Sequence, residues 1–240
     1  MRNQLAYNMK IHIKDCACIP TPLFIILKII SILSRRNFVP LKFRQSMQLL
    51  LSSKDETYLE SFMTTEKSFV DVGANVGLHT LSMAKKGAFV YAFEPSPNAL
   101  KTLYKLAEFF DNIKVFPYAL GSKEGLVKFY LRDKSETDSM FFSNDYTSAC
   151  EVKMKTLDSF NLKNIGTIKI DTEGFELHVL KGAVETLKRE KPRLILEIHN
   201  PLFDNETNIK RFLMSLGYKN FRKIWKFPRC GQFHLIASWS

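Results

Sequence analysis

The chain has 240 residues, 45% of them hydrophobic and 25% charged, which is enough to bury the core of one ordinary domain, with or without an appendage. It carries no internal repeat and no low-complexity tract, and its longest apolar run, Leu23 to Leu33, is too short to span a bilayer and is interrupted by Lys28. The net charge of +11 is uneven: residues 1–50 hold eight Lys and Arg against one acid, Asp15, and Lys219 to Arg229 holds five with no acid. Ends of that kind suit phosphates, anionic lipid or an acidic partner, although a solvated surface is the commoner origin.

Residues 1–50 read as a basic, partly apolar helical extension, distinct from a domain over 51–240. Cys16 and Cys18 are too close for an ordinary disulfide and lack zinc-knuckle spacing, and no second ligand pair follows, so no metal is expected there. No cleavable leader is evident, which makes reduced thiols and a cytoplasmic location the expectation. A helix over Leu23 to Leu33 sets Lys28, Ser31 and Arg35 on one narrow polar stripe. It either packs on the domain or a second subunit, or lies on a membrane surface with Arg35 and Arg36 at the headgroups. Peripheral contact at the inner face of the membrane would then involve residues 19–45. A further helix is expected within 47–67.

The next stretch organises the chain. Phe69, Val70 and Val72 form a buried strand ending at Asp71-Val72-Gly73, and Gly73 and Gly77 bracket a tight turn. A helical period follows, with Val76, Leu78, Leu81 and Ala84 expected on the buried face, until Lys85-Lys86-Gly87 closes the helix. A second strand, Ala88 to Phe93, ends at Glu94-Pro95. This is a β-α-β unit of nucleotide-binding type. The helix turns unpaired N–H groups toward the strand ends, and a carboxylate at Glu94 can accept both hydrogen bonds of a ribose diol. A dinucleotide site prefers G-x-G-x-x-G, whereas here the glycines stand as G-x-x-x-G behind an acid, Asp71. That acid would repel a pyrophosphate and suits a sulfonium ligand with an amino-acid tail, so the pattern favours S-adenosylmethionine over NAD.

Ser96-Pro97-Asn98 starts a helix over Ala99 to Phe110, and Ile113 to Ala119 is a third strand ending at Leu120-Gly121. Leu126 to Leu131 and Val152 to Leu157 are strands flanking a polar stretch, 132–150, long enough to be functional and containing Ser139. Gly166 to Ile170 is a strand tipped by two acids, Asp171 and Glu173. One helix is expected over Phe175 to Arg189, then a buried strand, Arg193 to Ile198, ending at His199. A helix near Asn208 to Leu216 and two strands, near Asn220 to Trp225 and Gln232 to Ser238, complete the chain. The reading is an α/β fold: a Rossmann-like, mostly parallel sheet with helices on both faces and a C-terminal antiparallel hairpin.

The runs FVDVGANVG ending at Gly77, FEP at Glu94, ALG at Gly121, TLD at Asp158, KIDTEGFE starting at Lys169, VLKG at Gly182 and LEIH at His199 resemble FkbM-type methyltransferases. The match covers about residues 68–200 in the right order, more than half the chain. The resemblance implies a class I methyltransferase sheet, S-adenosyl-L-methionine as cofactor, and methyl transfer to a hydroxyl of a sugar, glycan, glycolipid or other small metabolite. It assigns Asp71, Gly73, Asn75, Gly77, Glu94, Pro95, Leu120 and Gly121 to the cofactor, with Ser139 added from the position of its loop.

Asp171 is the first candidate to deprotonate or orient the acceptor hydroxyl, its alternative role being to cap the following helix. His199 is the second, although a lone histidine is more often structural. Glu173 and Glu176 are expected to be structural, holding loop backbone or a basic residue, and His178 to pack. The readings that compete are an RNA methyltransferase, motivated by Tyr218, Phe221, Trp225 and Phe227 among lysines, a catalytically silent adaptor, and an NAD oxidoreductase. An N-P-P-Y-type loop is absent and acids stand where phosphate would lie, so nucleic acid is not the expected partner.

Overall fold

A computed structural model of the chain describes residues 59–131, 148–198, 206–227 and 232–239. The chain divides into units 1–61 and 62–240, and the elements below belong to the second. The expected extension, its helix over Leu23 to Leu33 and most of the helix placed within 47–67 lie outside the described residues; residues 61–67 form turns and bends rather than helix. No helix among the described residues is long and apolar enough to cross a membrane.

In chain order the elements are β1 (Ser68–Val72), α1 (Leu78–Lys85), β2 (Val90–Phe93), α2 (Pro97–Phe109), β3 (Ile113–Phe116), β4 (Ala119–Leu120), β5 (Gly125–Leu131), β6 (Ser148–Lys155) and, after a short 3-10 turn at Asp158–Phe160, β7 (Ile165–Ile170). They continue with α3 (Glu176–Lys181), α4 (Val184–Glu190), β8 (Arg193–Ile198), α5 (Glu206–Leu216), β9 (Asn220–Phe227) and β10 (Gln232–Ser238). Seven strands form one sheet in the order β3-β2-β1-β7-β8-β10-β9. The pairs from β3 through β8 are parallel, and β10 runs antiparallel to both β8 and β9. The expected mostly parallel sheet closed by an antiparallel hairpin is therefore present.

Strand alternation sorts the two faces. Val70, Val72, Ile168, Ile170, Leu194, Leu196, Ile198, Phe233 and Leu235 share one core with Val179 and Leu180 of α3, Leu187 of α4, and Ile209 and Leu213 of α5. Intervening residues face α1 and α2: Asp71 meets Thr80 of α1, and Ala92 packs with Leu103 of α2. Central strands buried on both faces account for the near-continuous apolar runs of β7 and β8.

Three expectations change. The run from Ile113 to Ala119 is not one strand: β3 stops at Phe116 and Ala119–Leu120 joins a separate sheet, β4-β6-β5, whose core is Ala119, Phe129, Val152 and Met154. The helix expected over Phe175 to Arg189 is two helices, broken at Gly182-Ala183, where Gly182 lies so close to the Gly121 carbonyl that no Cβ fits. Asp158, from a distant loop, restarts the helix by accepting from the backbone N–H groups of Glu185 and Thr186 at 3.0 and 2.8 Å. In α1 the buried positions are Thr80, Met83 and Ala84, while Val76 is 43% exposed and Leu78 and Leu81 are half-buried. The turn rotates the helix away from the face that hydropathy alone selects.

Candidate active site

The carboxyl ends of β1, β2 and β7 open on one solvent-facing cleft, which Phe129 of β5 also lines. Parallel strands with helices on both faces leave their crevice at this edge. Of the residues singled out by sequence, Gly73, Asn75, Glu94, Pro95, Leu120 and Asp171 line it. Asp71, Gly77 and Gly121 do not, and Ser139 and His199 lie outside the described residues.

The turn after β1 is built from backbone bonds. The N–H groups of Gly73 and Ala74 both donate to the Phe93 carbonyl, at 2.9 and 3.1 Å, and Gly77 N–H donates to Ala74 O at 2.9 Å. Asn75 sits in the left-handed region at φ 50°, which asparagine tolerates better than most residues, and its N–H donates to Glu94 Oε2 at 2.7 Å. The other oxygen, Oε1, accepts from Ser96 N–H at 2.7 Å. Glu94 is only 5% exposed and lines the cleft, with a backbone N–H held on each of its carboxylate oxygens. The Asn75 carboxamide oxygen is shielded from solvent and has no hydrogen-bond partner.

Gly77, at φ 90° in the turn, and Gly121 both stand where no side chain fits. A Cβ at Gly77 would meet Leu106 and Leu103 of α2 at 2.6 and 2.8 Å, and one at Gly121 would meet Met154 Sδ at 2.5 Å. The Asp71 carboxylate is 1% exposed, accepts from Thr80 Oγ1 at 2.7 Å and lies 3.9 Å from Lys169 Nζ. Burial pushes its pKa up, and Lys169 and Thr80 pull it back. A buried ammonium faces that acid, so Asp71 is not the free charge beside the turn that would repel a pyrophosphate.

At the opposite wall, Asp171, Thr172 and Glu173 follow β7. Asp171 keeps a quarter of its side chain exposed and bonds Lys169 Nζ at 3.2 Å. Glu176, fully buried at the start of α3, accepts from Thr172 N–H, Thr172 Oγ1 and Gly174 N–H at 3.0, 3.1 and 3.1 Å. That triple bond set holds Glu173 at φ 55° on the cleft wall. Glu176 therefore does what sequence assigned to it, Glu173 reaches the cleft, and His178 stacks on Phe175 at 4.4 Å. Tyr118, Ala119, Phe129 and Thr172 were not expected in the cleft. Tyr118 belongs to an aromatic cluster in which Phe93 and Phe116 stack at 4.6 Å and both meet Phe160 at 5.0 Å. Phe129 arrives by hairpin pairing of β5 with β6, which no local pattern signals.

His79, in the first turn of α1, has a shielded Nδ1 with no hydrogen-bond partner; burial and then the Lys169 charge push its pKa down to about 3. An unfolded imidazole titrates near pH ~6.5, so below that the unfolded chain binds a proton that the folded chain refuses, and stability falls as the pH drops toward 3. His79→Gln is expected to flatten the fall in unfolding free energy by up to ~1.4 kcal/mol per pH unit. Urea midpoints at several pH values between neutrality and mild acid measure it; parallel slopes for both proteins would refute it.

A parallel sheet in this order, closed by an antiparallel hairpin and bearing an acid at the tip of its second strand above one cleft, defines a methyltransferase-type fold. The chain belongs to the FkbM methyltransferase family, whose domain model, "Methyltransferase FkbM domain", matches residues 71–224. It is 24% identical over 216 residues to "Methyltransferase 1" of Beauveria bassiana (strain ARSEF 2860), covering 76% of this chain and 85% of that protein. It is 33% identical over 141 residues to hexuronic acid methyltransferase AglP of Haloferax volcanii, covering 54% of each. Among solved structures it is similar to methyltransferase FkbM from Methylobacillus flagellatus KT, with a TM-score of 0.53 and 22% identity over 71% of this chain and 43% of that one. The chain thus spans about half of the Haloferax protein and less than half of the Methylobacillus chain.

Proposed function

We propose that this protein transfers a methyl group from S-adenosyl-L-methionine to an oxygen of a sugar, sugar acid or glycan. The observation that carries the reading is Glu94, a cleft carboxylate fixed on both oxygens by the N–H groups of Asn75 and Ser96. A carboxylate fixed at the tip of the second strand suits a ribose diol, and the partnerless Asn75 carboxamide oxygen suits the ammonium of an amino-acid tail. Leu120, Ala119 and Tyr118 offer an apolar and aromatic wall for a base. Three cleft acids, Glu94, Asp171 and Glu173, favour a cofactor bearing a sulfonium. The relative named a hexuronic acid methyltransferase supports a sugar acceptor.

When bound, the cofactor supplies a methyl group already activated by the positive sulfur. The chain's part is then to orient the acceptor oxygen and exclude water. Asp171 accepts the acceptor's hydroxyl proton in a hydrogen bond, and Glu173 and Phe129 line the same cleft. An RNA acceptor fits the acid-lined cleft less well.

Titration calorimetry with S-adenosylmethionine and with NAD, followed by transfer of labelled methyl to glucuronic acid, glucose and oligosaccharides containing them, tests this. Micromolar binding of the first ligand alone is expected, with transfer to at least one sugar probe. Asp171→Asn is expected to lower kcat about 10- to 100-fold. Binding of NAD in place of S-adenosylmethionine would overturn the reading.

A further inference from the structure

Beneath the cleft, a row of ionisable side chains crosses the sheet on its α1 face. Asp71 of β1 is the register partner of Lys169 of β7, and Glu197 of β8 is the partner of His234 of β10. Asp171, two residues beyond Lys169, projects from the same face. His79 of α1 feels the charges of Lys169, Asp171, Glu197 and His234, and Glu197 and His234 meet at 3.2 Å. Asp71, Lys169, Glu197 and His234 are all less than 8% exposed, whereas Asp171 reaches the cleft.

The centre of the row is Lys169, on a strand otherwise buried and apolar at Ile165, Ile168 and Ile170. Burial alone would discharge its ammonium, but Asp171, Asp71 and Glu197 outweigh that and hold it charged. The distances divide its attention unequally. It donates a hydrogen bond to Asp171 at 3.2 Å, whereas Asp71 Oδ1 is 3.9 Å away and outside hydrogen-bond range. Asp71 has Thr80 as its own donor. Were the lysine present only to neutralise Asp71, the shorter contact would belong to Asp71.

We propose that Lys169 is a positioning residue: from inside the sheet it fixes the carboxylate of Asp171 in one rotamer at the cleft wall, ready to receive the acceptor oxygen. This rests on the reading of Asp171 as the group that orients the acceptor. The device suits a site that must hold an aspartate with a quarter of its side chain exposed, a setting in which an unanchored carboxylate samples several rotamers.

The test must separate this role from plain charge compensation, since Lys169→Met alone strands a buried Asp71 and endangers folding. The double variant Asp71→Asn with Lys169→Met removes both partners of that buried pair and takes the Lys169 hydrogen bond from Asp171. Three-bond nitrogen–carbon couplings report the χ1 of Asp171 with no acceptor present. A single rotamer is expected in the wild type, in Asp71→Asn and in Lys169→Arg, and rotamer averaging in the double variant. With any sugar probe that accepts methyl, kcat of the double variant is expected to fall at least tenfold while S-adenosylmethionine affinity stays within threefold, and Lys169→Arg is expected to recover most of kcat. A single Asp171 rotamer with unchanged kcat in the double variant would overturn the proposal. If instead Asp171→Asn itself leaves transfer unaltered, it is the role given to Asp171 that fails, and the couplings still judge whether Lys169 fixes it.

Discussion

Glu94→Ala is expected to weaken S-adenosylmethionine binding by a hundredfold or more, the largest loss of any single cleft substitution. Two charge-assisted hydrogen bonds to a diol contribute roughly 1.5–3 kcal/mol each, so even the lower figure for both exceeds the ~2.8 kcal/mol that a hundredfold represents. A second loss adds to it. The N–H groups of Asn75 and Ser96 each have a Glu94 oxygen as partner at 2.7 Å, and alanine leaves both without it beside a shielded wall. The turn between Gly73 and Gly77 is then less well fixed. Glu94→Gln tests the charge separately, because an amide nitrogen facing either N–H sets donor against donor; it should lose at least tenfold. Calorimetric titration measures the affinity, with circular dichroism to confirm the fold. Binding of the alanine variant within threefold of the wild type would remove Glu94 from the site.

The parts of this molecule legible in the sequence are those fixed by neighbours along the chain. Asp71 to Glu94 shows strand, glycine turn, helix and acidic tip because each is a local requirement, and the cleft placement of Gly73, Asn75 and Glu94 follows directly. What sequence missed is set by partners far away in the chain. Asp71 looked like a free acid because Lys169, 98 residues later, is invisible from β1. The broken helix at Gly182 depends on the Gly121 carbonyl, and α4 on Asp158, 27 and 28 residues before the N–H groups it caps. Phe129 and Tyr118 come to the cleft because β4 leaves the main sheet for a small one, a choice made by β6 pairing rather than by the composition of residues 113–120. The hydropathy of α1 selected Val76, yet the left-handed turn at Gly77, φ 90°, points the helix so that Thr80 and Met83 go inward. Periodicity fixes the spacing of a buried face; the entry angle decides which face it is.

Gly73→Ala is expected to be the most damaging change to stability among the cleft residues, lowering the melting temperature by about 10 °C or abolishing soluble expression. Two costs combine there. At φ 74° an alanine loses roughly 1–2 kcal/mol to its own backbone. Its Cβ would also fall on the carbonyl oxygen of Asp171, a backbone atom that cannot swing aside as a side-chain tip can. The end of β7 would have to move away from β1, breaking the bond from Asp171 N–H to Val72 O at 3.0 Å. A total of about 3–4 kcal/mol corresponds to roughly 10 °C at 2–4 °C per kcal/mol for a domain of this size. Gly87→Ala supplies the control: its φ of 90° carries the same conformational penalty, but nothing lies within 4 Å of the added Cβ. It should lower the melting temperature by only about 3–5 °C. Equal losses in the two variants would show that backbone conformation alone accounts for Gly73. The expected inequality would show that Gly73 is required because β1 and β7 approach too closely for any side chain, and that this approach sets Asp171 opposite Glu94 across the cleft.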